Sequence, residues 1–348
     1  MIIASAASAL PPNEYPQSEL LQAMLRHWAP KLDNPAFLER LHARTGVSTR
    51  RLLLPLEDYE TLTFGAANGY WIEAAVELGQ QALCHALTRA GIGASEIGAL
   101  FFVSVTGIAS PSIDARLVNR MNLSPHVKRI PIFGLGCVAG AAGIARAADY
   151  VRAFPGEVAA LISVELCSLT LQREDLSVAN LISAGLFGDG AAAVLVAGAE
   201  RRAAGPRILA TRSVFYRDTE HAMGWDISEK GFRIVLSPEV PDVILRNLGA
   251  DVDAFLAGEG LAKVDIGSWI LHTGGPKVLE ATARALGLDD GALDVSWRCL
   301  RRMGNLSSAS VLIVLEEYLM DCRPEPGTYS VLAAMGPGFC SELVLLQW

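Results

Sequence analysis

The six cysteines include no Cys-x-x-Cys pair: Cys84, Cys137, Cys167, Cys299, Cys322 and Cys340 are scattered through 348 residues. That spacing argues against a zinc site and against a disulfide framework, and it predicts reduced thiols in a cytoplasmic protein. Positive charge is also short. Against 37 acidic residues stand 29 Lys and Arg, a formal net charge of −8, so no nucleic-acid partner is expected. A membrane span is missing as well. The long uncharged run at residues 130–145 is glycine-rich and falls short of the ~20 residues a bilayer needs. The opening Met1-Ile2-Ile3-Ala4-Ser5-Ala6-Ala7 carries no basic n-region, so no signal peptide is read there. What remains is apolar. Hydrophobic residues make up 51% and the mean hydropathy is +0.32, which predicts a large core split between two halves and an oligomer interface.

The stretch 130–150 organises the chain. A short apolar run bends at Gly134 and Gly136 and passes into a helix of tiny residues, Val138-Ala139-Gly140-Ala141-Ala142-Gly143. Glycine costs a helix about 1 kcal/mol against alanine, so such a helix makes sense only when other backbones pack close around it. Cys137 sits at its first turn, where unpaired N–H groups and the helix dipole favour a thiolate. A cysteine is ordinarily a small buried hydrophobe, but a strand, a glycine bend and a buried helix expose one reactive atom on a rigid support. The glycine spacing Gly134-x-Gly136-x-x-x-Gly140 is one residue too long for a dinucleotide fingerprint.

Along the chain, residues 18–28, 35–45 and 70–90 read as helices, and 99–105, 157–164 and 189–197 as strands. Arg40 and Arg44 lie at i,i+4 on one helix face, which on amphipathicity alone is a solvated face. Residues 201–207, with three arginines, Gly205 and Pro206, read as the crossing between an N-terminal half, 1–200, and a C-terminal half, 201–348. The second half repeats the order of the first. A strand at 269–271 ends on His272, helices follow at 276–286 and 306–319, and strands at 329–335 and 342–348 close the chain. Cys137 opens a helix–strand–strand unit in the first half and Asn305 opens one in the second. Packed back to back, the halves would bring two helix N-termini and His272 to one pocket. Histidine can take a thiol's proton, and Asn and His N–H groups can donate to an oxyanion. Asn305 as a simple helix cap and His272 as a bonded core histidine are the alternatives.

Taken together, Gly136-Cys137-Val138-Ala139-Gly140, Leu186-Phe187-Gly188-Asp189-Gly190, His272-Thr273-Gly274-Gly275-Pro276, Gly304-Asn305-Leu306-Ser307-Ser308 and Gly336-Pro337-Gly338-Phe339 resemble the type III polyketide synthases over the whole chain. These are the chalcone-synthase-like branch of the thiolase superfamily. The resemblance implies an α/β thiolase-like αβαβα five-layered fold from two similar halves, a homodimer, and CoA thioesters as substrates with no cofactor or metal. It assigns Cys137 as the acyl-accepting nucleophile, and His272 and Asn305 to the malonyl thioester carbonyl. Phe187 becomes the gate between tunnel and cavity, Arg40 and Arg44 reach CoA phosphates, and Gly274 and Gly275 lie along the CoA arm. Substrate-facing positions fall at Val105, Thr106, Ser110, Cys167, Thr170, Trp225, Ile234, Ser307 and Phe339.

Several of these depart from the plant pattern. Ile234 stands for a second gate phenylalanine, Val105 and Cys167 for threonines, and Ser110 for a larger residue that reaches the partner's cavity. The aliphatic wall is similar to alkylpyrone- or alkylresorcinol-forming members and predicts a fatty acyl-CoA starter extended with malonyl-CoA. A malonyl-only naphthol or phloroglucinol synthase is the main rival. An initiating ketoacyl-ACP synthase, with a His-Gln-Ala-Asn stretch expected near His272, and an inactive thiolase-fold binding protein complete the alternatives.

Overall fold

A computed structural model describes residues 1–348. Its main sheet orders nine strands as Ile266–Leu271, Tyr329–Gly336, Cys340–Gln347, Arg207–Phe215, Ile2–Ala9, Asp189–Ala197, Val158–Leu166, Ile97–Val103 and Lys128–Ile132. The two halves meet at a narrow seam. There Ile2 pairs with Arg207, Ile3 N–H donates to the Pro206 carbonyl at 3.0 Å, and Ile208 N–H donates to Met1 at 3.0 Å. The predicted crossing at 201–207 is therefore stitched onto the first strand.

Each half-sheet is covered on both faces, and the period-two pattern of its strands shows it. In Asp189–Ala197, Ala192, Val194 and Val196 enter the central core, while Ala191, Ala193, Leu195 and Ala197 pack outward with the helix Phe64–Ala90. In Tyr329–Gly336, Leu332 and Ala334 point to the same central core. Val331, Ala333 and Met335 face an outer core built with the helices Val240–Ala257 and Pro276–Leu286. Between the half-sheets lie Ala139–Ala153 and Ser308–Met320, which completes five layers. The small-residue helix is buried as its composition requires, with every residue from Ala139 to Ala145 buried.

The halves repeat in detail that the sequence hides. A long helix, a single turn at Ala94–Glu96 and the strand Ile97–Val103 correspond to Val240–Ala257, a turn at Lys263–Asp265 and Ile266–Leu271. In both turns a carboxylate caps the backbone: Gly93 N–H donates to Glu96 at 2.7 Å, and Ala262 N–H to Asp265 at 2.8 Å. Two expectations shift. The third helix starts at Phe64 rather than 70, because the Thr63 hydroxyl accepts the Ala66 N–H and caps it. The helix after Asn305 starts at Ser308 rather than 306, and the helix Asp294–Met303, unread in the sequence, precedes it. A hairpin of Met223–Ser228 and Gly231–Leu236, unread in the sequence, sits beside the site with Trp225 directly opposite Ile234. No helix is long and apolar enough to cross a membrane.

Candidate active site

The two central helices present their N-termini to one another, as the repeat predicted. Cys137 lies in the single turn Gly136–Val138 that leads into Ala139–Ala153. Gly136 is needed in that turn. Its φ is +53°, and a Cβ would stand 2.6 Å from Pro337, so the Gly336–Phe339 loop closes directly over the cysteine bend. The Cys137 thiol donates to the Ser307 hydroxyl at 3.6 Å. Ser307 itself is held at a φ of +46°, strained backbone that a non-glycine residue adopts only where its surroundings impose it.

Asn305 is wedged between the nucleophile and the gate. Its N–H donates to Leu186 at 2.9 Å, its carbonyl accepts from Gly188 at 3.0 Å, and it pairs with Phe187 in an isolated bridge. Its Oδ1 accepts from the Ser307 N–H at 2.8 Å and the Ser310 hydroxyl at 3.4 Å, which leaves the amide N–H₂ as the group free to act. His272 ends Ile266–Leu271 and is anchored by its own N–H to Ala333 at 3.1 Å. Its ring Nδ1 is buried without a partner, and burial alone pulls its pKa down to about 4. The imidazole is neutral at neutral pH and offers an N–H.

The thiol differs from expectation. Burial pushes Cys137 up to about 12, and donors from Ser307 and Asn305 pull it back by less. Burial opposes the helix terminus, which typically contributes only about 0.3–1 kcal/mol toward the thiolate, and the net direction is upward. Desolvation wins, and no hydrogen bond joins His272 to the sulfur. Iodoacetamide labelling of the empty protein, read by mass on the Cys137 peptide, is therefore expected to rise about tenfold per pH unit from about pH 7 to 9 with no plateau. A plateau below pH 8 would mean that a thiolate–imidazolium pair forms in the free protein.

Of the substrate-facing positions, Cys167, Thr170, Phe187, Trp225 and Ile234 come together on one cavity of about 530 Å³. Val105 and Thr106 are buried and line no part of it, and the Thr106 hydroxyl is spent, donating to Glu165 at 3.0 Å and accepting from Leu166 at 2.9 Å. Ser110 is exposed and lines no part of that cavity. Phe339 is fully buried in the C-terminal outer core, its ring against Tyr216, and lines no part of that cavity. Arg40 and Arg44 are exposed and form no ion pair, and Gly275 starts Pro276–Leu286 with its α-carbon face against Leu186.

Sequence reading missed three groups. Glu165, fully buried at the end of Val158–Leu166, collects hydrogen bonds from Ser104, Val105, Thr106 and Ser308 and is pushed up to about 7 by burial. A lone acid closing a nine-residue apolar strand was the available signal. The helix Gln17–Trp28 walls the cavity through Leu20, Ala23 and Met24, which look like ordinary core positions. Arg50 does so too, and nothing in Arg50-Arg51 sets it apart from a surface pair.

Residues 1–200 match the N-terminal domain of chalcone and stilbene synthases, and residues 208–348 match their C-terminal domain. The chain is 53% identical to the 1,3,6,8-tetrahydroxynaphthalene synthase of Streptomyces peucetius subsp. caesius, over 99% of this chain and 93% of that one. It is 32% identical to the phloroglucinol synthase of Pseudomonas fluorescens, over 97% of this chain and 98% of that one. The crystal structure of 1,3,6,8-tetrahydroxynaphthalene synthase from Streptomyces coelicolor superposes with a TM-score of 0.94 at 31% identity, covering 100% of this chain and 99% of that one. A five-layered fold built from two alike halves, Cys137 and Asn305 buried where the two central helices meet, and likeness along the entire chain lead to one conclusion: the protein belongs to the chalcone and stilbene synthase family and is a type III polyketide synthase.

Proposed function

We propose that this enzyme primes itself with malonyl-CoA, extends only with malonyl units and closes the chain to a polyhydroxylated naphthalene. The observation that carries this is the 53% identity to a tetrahydroxynaphthalene synthase across 99% of the chain. Cys137 is the nucleophile: its sulfur forms a thioester with the starter carbonyl, the bond to CoA breaks, and the cysteine proton ends on the CoA sulfur. In the extender malonyl-CoA, the bond to the carboxylate breaks, CO₂ leaves, and its electron pair becomes a thioester enolate. The Asn305 N–H₂ and the neutral His272 N–H stabilise that enolate oxygen, an effect worth several kcal/mol where donors are preorganised in a dry site. The enolate carbon then attacks the Cys137 thioester and releases the thiolate.

Purified protein given malonyl-CoA alone is expected to form 1,3,6,8-tetrahydroxynaphthalene, identified by mass and by coelution with a standard. A second reading, the fatty acyl starter with an alkylpyrone or alkylresorcinol product, is favoured by one observation: Leu20, Met24, Leu56, Leu171 and Ile234 are all among the residues that line the cavity. An acyl chain gains about 0.8 kcal/mol per CH₂ buried against such side chains. If they hold a starter, efficiency climbs with chain length from acetyl- through octanoyl-CoA and malonyl-CoA alone yields little product.

Arg40 and Arg44 bind the phosphates of the CoA thioesters. Their joint replacement by Ala is expected to raise KM for CoA substrates about tenfold or more and to spare N-acetylcysteamine thioesters, since two charge-assisted contacts are lost. Equal losses on both substrate types would show a structural role. A homodimer and a cytoplasmic location belong to the same reading.

A further inference from the structure

A helix leaves its last four carbonyls without partners in its own ladder, and in Val178–Leu186 each of them finds one. Ser183 accepts from the Phe187 N–H at 2.9 Å, which closes the final turn. Ala184 accepts from Arg50 Nη1 at 2.6 Å, and Gly185 accepts from the Gln17 amide at 2.7 Å. Leu186 accepts from the Asn305 N–H at 2.9 Å. One residue further on, the Phe187 carbonyl accepts from Arg50 Nη1 at 2.7 Å. Arg50 Nε also donates to Gln17 Oε1 at 3.1 Å, so the two side chains form one clamp on this turn.

The same turn carries Asn305. Its main chain is gripped from both sides, the N–H by Leu186 and the carbonyl by the Gly188 N–H at 3.0 Å, in the bridge it makes with Phe187. Arg50 reaches the other side of that bridge as well. Gly304 has a φ of +74°, and a Cβ there would run into the Leu186 carbonyl and stand 3.2 Å from Arg50 Cδ, so the arginine stem packs on the residue before Asn305. Arg50 is buried on the strand Thr49–Leu52, and no carboxylate pairs with it. Asp189, whose charge acts on it most, accepts instead from Leu53 and Ser168. Burial pulls Arg50 down to about 10, so it keeps its charge at neutral pH, where the end of a helix favours a cation. Taking a guanidinium out of water is costly, and here its acceptors are two carbonyls of one turn and Gln17.

We propose that Arg50 is a positioning residue for decarboxylation: by fixing the Ala184–Phe187 turn it sets Asn305, and with it the amide N–H₂ that meets the thioester oxygen of the extender. This rests on the reading above in which Asn305 stabilises the enolate. Arg50 touches no reacting atom and acts only through the bridge. The Asn305 side chain is tied by Oδ1 to the Ser307 N–H, so a shift of its main chain changes where the N–H₂ points. A misplacement of about 1 Å in such a group can cost about 10²-fold in rate. Cys137 is carried by a separate element, the turn Gly136–Val138, and keeps its place when the clamp is lost.

The test measures CO₂ release from radiolabelled malonyl-CoA in wild type, Arg50→Met, Gln17→Ala, Asn305→Ala and the double variant Arg50→Met with Asn305→Ala. In Arg50→Met, kcat is expected to fall about tenfold or more with KM within about twofold, because a displaced donor is missed chiefly in the transition state. Gln17→Ala, which removes half the clamp, should lower kcat severalfold. The double variant should lose nothing beyond Asn305→Ala, since the group that Arg50 positions is already gone. Iodoacetamide labelling of Cys137 at about pH 8 should stay within about twofold of wild type in Arg50→Met. Unchanged kcat in Arg50→Met overturns the proposal. So does a loss that multiplies with that of Asn305→Ala, which would make Arg50 a general support of the fold. Should Arg50→Met fail to fold, Gln17→Ala carries the same cycle with Asn305→Ala, and unchanged CO₂ release there is enough to overturn it. Normal CO₂ release in Asn305→Ala rejects the enolate role of Asn305, and the positioning with it. A loss in Asn305→Ala beside wild-type kinetics in the Arg50 and Gln17 variants rejects the positioning alone.

Discussion

Cys137→Ala is expected to lower polyketide formation by at least about 10³-fold while retaining measurable release of CO₂ from malonyl-CoA. The two outcomes separate because the groups sit on different elements. The sulfur is carried by the turn before Ala139–Ala153, whereas Asn305 is fixed by Leu186, Gly188 and Ser307, and His272 by the strand Ile266–Leu271. Removing the sulfur leaves both donors in place. His272→Ala and Asn305→Ala should each lower decarboxylation by about 10²–10³-fold, the size of effect seen when one oxyanion donor is lost. Mass analysis of the acyl-protein with a radiolabelled CO₂-release assay reads both halves. Full turnover in Cys137→Ala, or normal CO₂ release in His272→Ala and Asn305→Ala, would remove the roles assigned here.

The proposed reaction centre was legible in the sequence because each of its three residues stands at a break in hydrophobic pattern. Cys137 follows a glycine bend, His272 ends an apolar strand, and Asn305 follows Gly304. Those breaks occur where strands and helices stop or start, and in this architecture the starts of the two central helices come together. The cavity was less legible. Leu20 and Met24 show a helical period that any core helix shows, and only the tertiary fold reveals that Gln17–Trp28 covers a space rather than a sheet. Phe339 shows the converse limit: a motif marks a position but not where its side chain packs, which here is the C-terminal outer core. The thiol's protonation needed a magnitude as well as a motif, since burial and the helix terminus act in opposite senses and burial is the larger.

Substitution at the centre of the molecule is expected to damage stability and activity together. Gly140 lies in Ala139–Ala153 where the two central helices cross, and a Cβ there would sit 2.3 Å from the Ser308 carbonyl and 2.7 Å from Val311. Alanine in a helix interior gains about 1 kcal/mol over glycine, so propensity alone predicts that Gly140→Ala stabilises. The contact reverses the sign. A backbone carbonyl cannot rotate aside as a side chain can, and overpacking of a close-packed core costs about 1–3 kcal/mol, more where backbone must move. Relief requires the helices to separate, which moves Cys137 away from Ser307 and Asn305. Gly140→Ala should therefore lower Tm and turnover alike, and a larger residue should prevent folding. Gly69 provides the control. It too lies inside a helix, Phe64–Ala90, but a Cβ there meets nothing within 4 Å, so Gly69→Ala should raise stability by up to about 1 kcal/mol. Thermal and urea unfolding of the two variants side by side make the comparison. If Gly140→Ala were as stable as Gly69→Ala, the close crossing of the central helices would be wrong, and with it the geometry that brings Cys137 to Asn305.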